Sequence, residues 1–101
     1  MKNQLIKYIR NPKTREPRGV VVAFNENGKV HIGWSLCSKE DKWDKDLGFK
    51  IAVNRAYFHA ENELLGYKVA QSAYPDFRKM VERSKKFFKE AAIPECLRWL
   101  P

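Results

Sequence analysis

Eight cationic residues carry the chemistry to be expected of this chain: Arg10, Lys13, Arg15 and Arg18 in one segment, and Lys79, Arg83, Lys86 and Lys89 in another. Other chemistries need side chains that the spacing does not bring together. His31 and Cys37 are six positions apart on one alternating stretch. That is roughly 20 Å if extended, too far for a histidine to activate a thiolate. Glu40, Asp41, Asp44 and Asp46 suggest a site for a hard cation, but Lys39, Lys42, Lys45 and Lys50 interleave with them. Mixed runs of that kind make weak surface pairs. His59 stands alone, and Gly28 and Gly33 suit a turn and strand packing better than a phosphate-cradling loop. Cys37 and Cys96 are 59 positions apart, which is neither a zinc motif nor a disulfide framework. We read both as reduced thiols with packing roles. No catalytic residue, metal or cofactor is assigned, and a non-enzymatic protein is expected.

The positive charge is concentrated. The chain has 20 Lys plus Arg against 12 Asp plus Glu, a formal net charge of +8. Residues 1–18 hold six cations against Glu16 alone, and residues 76–89 hold six against Asp76 and Glu82. Residues 38–50 hold four of each sign. Such a balance excludes a mimic of nucleic acid and partners that are mainly basic. Two cationic surfaces can neutralise phosphates and release counterions, which implies DNA or RNA as a partner. A basic amphipathic helix is equally compatible with a merely solvated face. The loop favours the phosphate reading, because Pro12 and Pro17 stiffen it and an ordered loop loses less entropy on docking. Tyr8 and His31 could add stacking on bases, although their alternation also suits a sheet face. No Asn or Gln pairs sit on the basic helix, so base-specific readout is not visible.

The elements that must position these residues follow from periodicity. Leu5–Arg10 alternates and reads as a strand. Asn11–Arg18 is a loop, closed by Gly19. Val20–Phe24 is a β-branched run suited to a central strand. Asn27-Gly28 is a strong hairpin signal, since both central positions of a type I′ turn need positive φ. Lys29–Leu36 is a third strand, which completes an antiparallel meander. Helical spacing begins near Trp43, with Ser38, Asp41 or Asp44 as its cap. One stripe holds Trp43, Leu47, Ile51 and Phe58. Another holds Gly48, Ala52, Ala56 and Ala60, small enough to admit a neighbouring backbone. This helix is apolar on several sides, so we expect it between the sheet and another helix, or at an oligomer contact. Gly66 could cap its end, and Tyr67–Ser72 could be a strand or a connector. Pro75-Asp76 starts a second helix, amphipathic through Phe77, Met80, Val81, Ser84, Phe87, Phe88, Ala91 and Ala92, and Pro94 stops it. The apolar end, Leu97, Trp99 and Leu100, is expected to dock. The fold class expected is α+β: a single domain over 1–101, with a three-stranded antiparallel meander packed against two helices. Hydrophobic residues at 44% suffice for its core. No apolar run is long enough to span a membrane and no signal peptide is visible, so a cytoplasmic protein is expected.

Gly19-Val20-Val21-Val22-Ala23, Gly28, Ile32-Gly33-Trp34-Ser35-Leu36-Cys37, Asp41-Lys42-Trp43-Asp44-Lys45 and Ala52–Ala56, together with the Asn-Pro-Lys loop, give the first 60 residues a familiar look. This part resembles small uncharacterised bacteriophage proteins. The resemblance implies a phage-type origin and action in the bacterial host cytoplasm, and it carries over no activity and no catalytic residue. Two readings follow. The first is nucleic-acid binding through phosphate contacts. The second is a phage protein that binds and inhibits or redirects a host protein, through Trp99 and Leu100 or through the small-residue stripe; that stripe could also serve a homodimer.

Overall fold

Val20, Val21, Val22, Ala23 and Phe24 are all buried, with no alternation between core and solvent. A strand of this kind must be covered on both faces. The computed structural model describes residues 4–38, 41–61 and 69–93. It contains strands β1 (Gln4–Arg10), β2 (Pro17–Glu26) and β3 (Lys29–Leu36), then helices α1 (Lys45–Glu61) and α2 (Tyr74–Phe87). The strands form one antiparallel sheet in the order β1-β2-β3, which is the expected α+β meander. The β2–β3 turn is the two-residue Asn27-Gly28 loop, with φ of 56° and 77°, the positive values that a type I′ turn requires.

The two helices lie on opposite faces of the sheet. Val20, Val22 and Phe24 pack with Ala52 and Ala56 of α1. Val21, Ala23, Leu5, Ile9, Val30 and Ile32 pack with Phe77, Met80 and Val81 of α2. This corrects the placement expected for α1: the sheet, not α1, is the middle layer. The small-residue stripe explains why α1 sits where it does. An added Cβ on Gly33 of β3 would overlap the Ala52 carbonyl oxygen and fall 2.6 Å from the Ala56 nitrogen. The helix backbone therefore rests directly on the strand. Gly48, whose missing side chain weakens a helix, makes room for the Trp43 ring, which lies 2.6 Å from where its Cβ would be. Gly48, Ala52 and Ala56 are buried, so these three positions of the stripe are not open to a homodimer contact. The other stripe is the outward one, with Leu47 and Phe58 exposed and Ile51 half-buried.

Of the three capping candidates, Asp44 does the work. Its Oδ1 accepts Leu47 N–H at 3.1 Å, and its carbonyl accepts Gly48 N–H at 2.9 Å. Ser38 Oγ instead donates to Asp41 Oδ2 at 2.8 Å. At the far end of the chain, α2 stops at Phe87, well before Pro94. The chain leaves the helix to cover the open edge of β3: Ala92 N–H donates to the Gly28 carbonyl at 2.7 Å, and Val30 N–H donates to the Ala92 carbonyl at 2.9 Å. Further along the same edge, Arg55 Nη1 donates to the Trp34 carbonyl at 3.1 Å, with its guanidinium 4.4 Å from the Trp34 ring centroid. Residues 69–73 form a connector ending in a turn, not a strand. Cys96, Leu97, Trp99, Leu100, Pro94 and Gly66, and the side chains of His59 and Ala60, lie outside the described residues.

Gly33→Ala is expected to cost about 2–3 kcal/mol, because neither backbone atom it meets can move without shifting α1. Gly28→Ala faces open space and only the strain of its positive φ, a cost of about 1 kcal/mol. Urea unfolding midpoints at unchanged slope measure the difference.

Candidate nucleic-acid interface

Two segments were expected to share the cationic work, and the structure places them at opposite ends of the sheet. The loop between β1 and β2 lies beyond Arg10 and Pro17, which pair at that end. Arg83, Lys86 and Phe87 border a shallow hollow with Leu5, near the start of β1. The helix then leads toward Gly28 and Val30 at the β2–β3 turn. Between the two lies edge strand β1, roughly 17 Å from Leu5 to Arg10. The cations thus do not merge into one patch, but both groups border the same strand.

The loop is held by its own polar groups. Asn11 Oδ1 accepts the amides of Lys13 (2.8 Å) and Thr14 (3.3 Å), and the Asn11 carbonyl accepts Arg15 N–H (2.8 Å). Asn11 N–H donates to the Glu16 carbonyl at 2.9 Å, which closes the ring. Asparagine suits this because its side chain mimics a backbone turn. Arg15 sits at φ 66°, in the left-handed region that favours glycine. Lys13 and Arg15 are left exposed, without an acidic partner among the described residues. Arg10 is exposed too, but its Nη1 donates to the Arg15 carbonyl at 3.0 Å.

Arg18 separates from this group. Ile9 pairs with Gly19 and Arg10 with Pro17, so Arg18 is the extra residue of a bulge. Its half-buried side chain lines a hollow of about 720 Å³ together with Asn11, Glu16, Cys37, Asp41 and Trp43. Its Nε is buried and unpartnered, as is Ser35 Oγ. Glu16, Asp41 and Lys42 share that hollow with Arg18, which is half-buried where Lys13 and Arg15 are exposed. Cys37 is half-buried, with Sγ 3.2 Å from the Asp41 carbonyl.

On α2, Lys79, Arg83 and Lys86 follow i, i+4, i+7 opposite the buried Phe77, Met80, Val81 and Ser84. They span about 10 Å along the axis. All three are exposed, and neither they nor Lys89, beyond the helix end, have an ion pair among the described residues. Lys85 pairs with Glu82 at 3.2 Å, and Lys7 with Asp76 at 3.5 Å. Part of the charge on α2 also serves the helix itself: Lys85 and Lys86 lie in its last turn and Asp76 in its first, the signs the helix dipole favours.

The structure adds residues that the sequence pattern did not single out. Lys45 at the start of α1 brings its Nζ to 5.9 Å from the Tyr8 ring centroid, and the Arg10 guanidinium carbon lies at the same distance. Asn11 could have been found from the Asn-Pro dipeptide. Lys45 could not, because only the tertiary fold sets α1 beside β1. His31 belongs to a ring cluster instead, 5.2 Å from Phe24 and 5.5 Å from Tyr57. That cluster stands at the turn end of β3, while Cys37 lies beyond its other end. Among the described residues, no helix is long and apolar enough to cross a membrane.

Comparison with known proteins finds no matching family model, no matching curated protein and no matching solved structure.

Two outcomes are expected. Asn11→Ala removes two acceptor contacts and should cost about 1 kcal/mol, with faster amide exchange at Lys13 and Thr14. The Tyr57 phenol is held above its ordinary value by donating to the Glu26 carboxylate, and then by burial and by the Glu26 charge. The stabilisation from that contact is complete below about pH 10 and is lost as pH rises through the elevated value. Ultraviolet titration of Glu26→Gln should show one tyrosine ionising at lower pH than in the parent.

Proposed function

We propose that this protein binds nucleic acid through phosphate contacts and catalyses no reaction. The observation that carries the reading is the set of exposed cations, without an ion pair among the described residues, at the two ends of strand β1: Lys13 and Arg15 at one, Arg83 and Lys86 at the other. Lys79 and Lys89 extend the second group, and Arg10 supports the first. Ammonium and guanidinium groups that have no internal partner gain more from a phosphate than paired ones do, since no ion pair must first be broken. Because the contacts are to phosphates, the reading specifies affinity rather than sequence. The resemblance of the first 60 residues to phage proteins supports an infected bacterial cell as the setting.

A second reading, a phage protein that engages a host protein, is favoured by a different surface. Leu47 and Phe58 are 55% and 56% exposed. They lie three helical turns apart on one face of α1, an unusual position for two large apolar side chains. Affinity capture with and without nuclease separates the readings: nucleic acid is lost on digestion, whereas a protein partner held through α1 is retained.

The test of the lead reading is a salt series. If Lys13, Arg15, Arg83 and Lys86 each neutralise one phosphate, the logarithm of the binding constant falls with slope about −3.6 for duplex and about −2.8 for single strands. Affinity then drops on the order of a hundredfold between about 50 and 200 mM salt. Lys86→Gln and Arg15→Gly should each flatten the slope by about 0.7–0.9. Arg15→Gly also places glycine at a left-handed position, so weaker binding in that variant does not come from a damaged fold. Absence of binding to duplex and single strands at about 50 mM salt refutes the reading.

A further inference from the structure

α1 packs over β3 and β2, and among the described residues the same face of β1 is left partly open. Ile6 is 37% exposed, and Tyr8 is half-buried against the flank of the core. Ile6, Tyr8 and Val20 floor a hollow of about 380 Å³ whose wall is Lys45, Asp46, Phe49 and Lys50 of α1. That volume lies within the range of small-ligand pockets. The floor is apolar and aromatic, Lys45 and Lys50 outnumber Asp46 in the wall, and the Arg10 guanidinium carbon stands 5.9 Å from the Tyr8 ring centroid. We propose that this groove receives an unpaired nucleobase, stacked on Tyr8, with the flanking phosphates on Arg10, Lys45 and Lys50. The inference rests on the nucleic-acid reading above and narrows it to single-stranded DNA or RNA.

The geometry favours a planar occupant with negative charge beside it. Aromatic rings that share a cationic groove are the usual means of holding single strands, because every base has a face to stack. The two cations near Tyr8 are both 5.9 Å from its ring centroid, at the outer limit of a cation–ring contact. A planar ring inserted between Tyr8 and a guanidinium needs about 3.5 Å on each side. A movement of about 1 Å by the Arg10 side chain opens that space, and the guanidinium then stacks on the far face of the base. Arg10 is already oriented by the Arg15 carbonyl at 3.0 Å, which leaves its other N–H groups for phosphate. A duplex cannot use the groove, since its bases are stacked and paired.

The experiment compares the parent with Tyr8→Leu, Tyr8→Ala and Tyr8→Phe on three probes of equal length: a mixed-sequence single strand, an abasic strand and a duplex. Tyr8→Leu keeps apolar bulk at the position and so keeps the fold should Tyr8→Ala fail to; circular dichroism and the unfolding midpoint check each variant. The expected result is a loss of about five- to a hundredfold on the single strand for Tyr8→Leu, the range for one stacked base. Affinity for the abasic strand and the duplex should be unchanged, and Tyr8→Phe should bind like the parent. If the parent binds single strands and Tyr8→Leu binds them equally well, the groove is not a base site and the phosphate reading still stands. The same holds if only the duplex is bound. Loss of equal size on all three probes overturns the stacking role as well. No binding of any probe by the parent overturns both proposals together.

Discussion

The helix backbone of α1 rests on Gly33 of β3 at Ala52 and Ala56, whose small side chains allow the close approach. Close contact of this kind tolerates no sliding, because each added methyl group would meet backbone rather than a side chain that can turn away. Arg55 fastens the same helix to the edge of β3 through the Trp34 carbonyl and ring. The consequence appears on the same face of the sheet, at the β1 edge. A single helix centred on β3 and β2 cannot also cover β1, so Ile6 and Tyr8 stay at the surface. Lys45, Phe49 and Lys50, on the flank of α1 turned toward β1, become the wall of a groove.

The other face of the sheet is closed by α2, whose amphipathic pattern is simple enough to bury Phe77, Met80, Val81 and Ser84 and expose the rest. Ser84 is no exception to an apolar core, since its Oγ donates to the Met80 carbonyl at 2.8 Å. The cost of this arrangement is that β1 pairs only with β2 among the described residues. Natural edge strands are guarded by charge. Here Lys7, Arg10, Arg83 and Lys86 all lie along or beside β1. The same cations that discourage edge pairing with another protein are well placed for a polyanion.

The expected elements were legible wherever one local rule dominated. Asn27-Gly28 set the hairpin because its two positive φ values suit few other residue pairs. Alternation marked Lys29–Leu36, and the 3.6-residue period marked α2. Legibility failed for α1, whose apolar residues cover more than one side. Composition could not say whether Leu47 and Phe58 or Ala52 and Ala56 face the core, and the smaller pair won because backbone approach outweighed side-chain bulk. At Arg18 the structure adds a placement that proximity along the chain did not give. Sequence proximity grouped it with Arg15, but a bulge one residue long turned it into a different hollow.

The amino-acid sequence by itself determined the class of the fold, the strand order of a meander, the hydrophobic face of α2 and the two segments that concentrate positive charge. All of these follow from interactions between residues close along the chain. Only the tertiary structure decided that the sheet is the middle layer, that the two cationic segments stand at opposite ends of β1, and that Lys45 joins Arg10 beside Tyr8. Those facts depend on which helix takes which face of the sheet. That choice is made by the fit of one backbone against another at Gly33, a contact between residues some twenty positions apart.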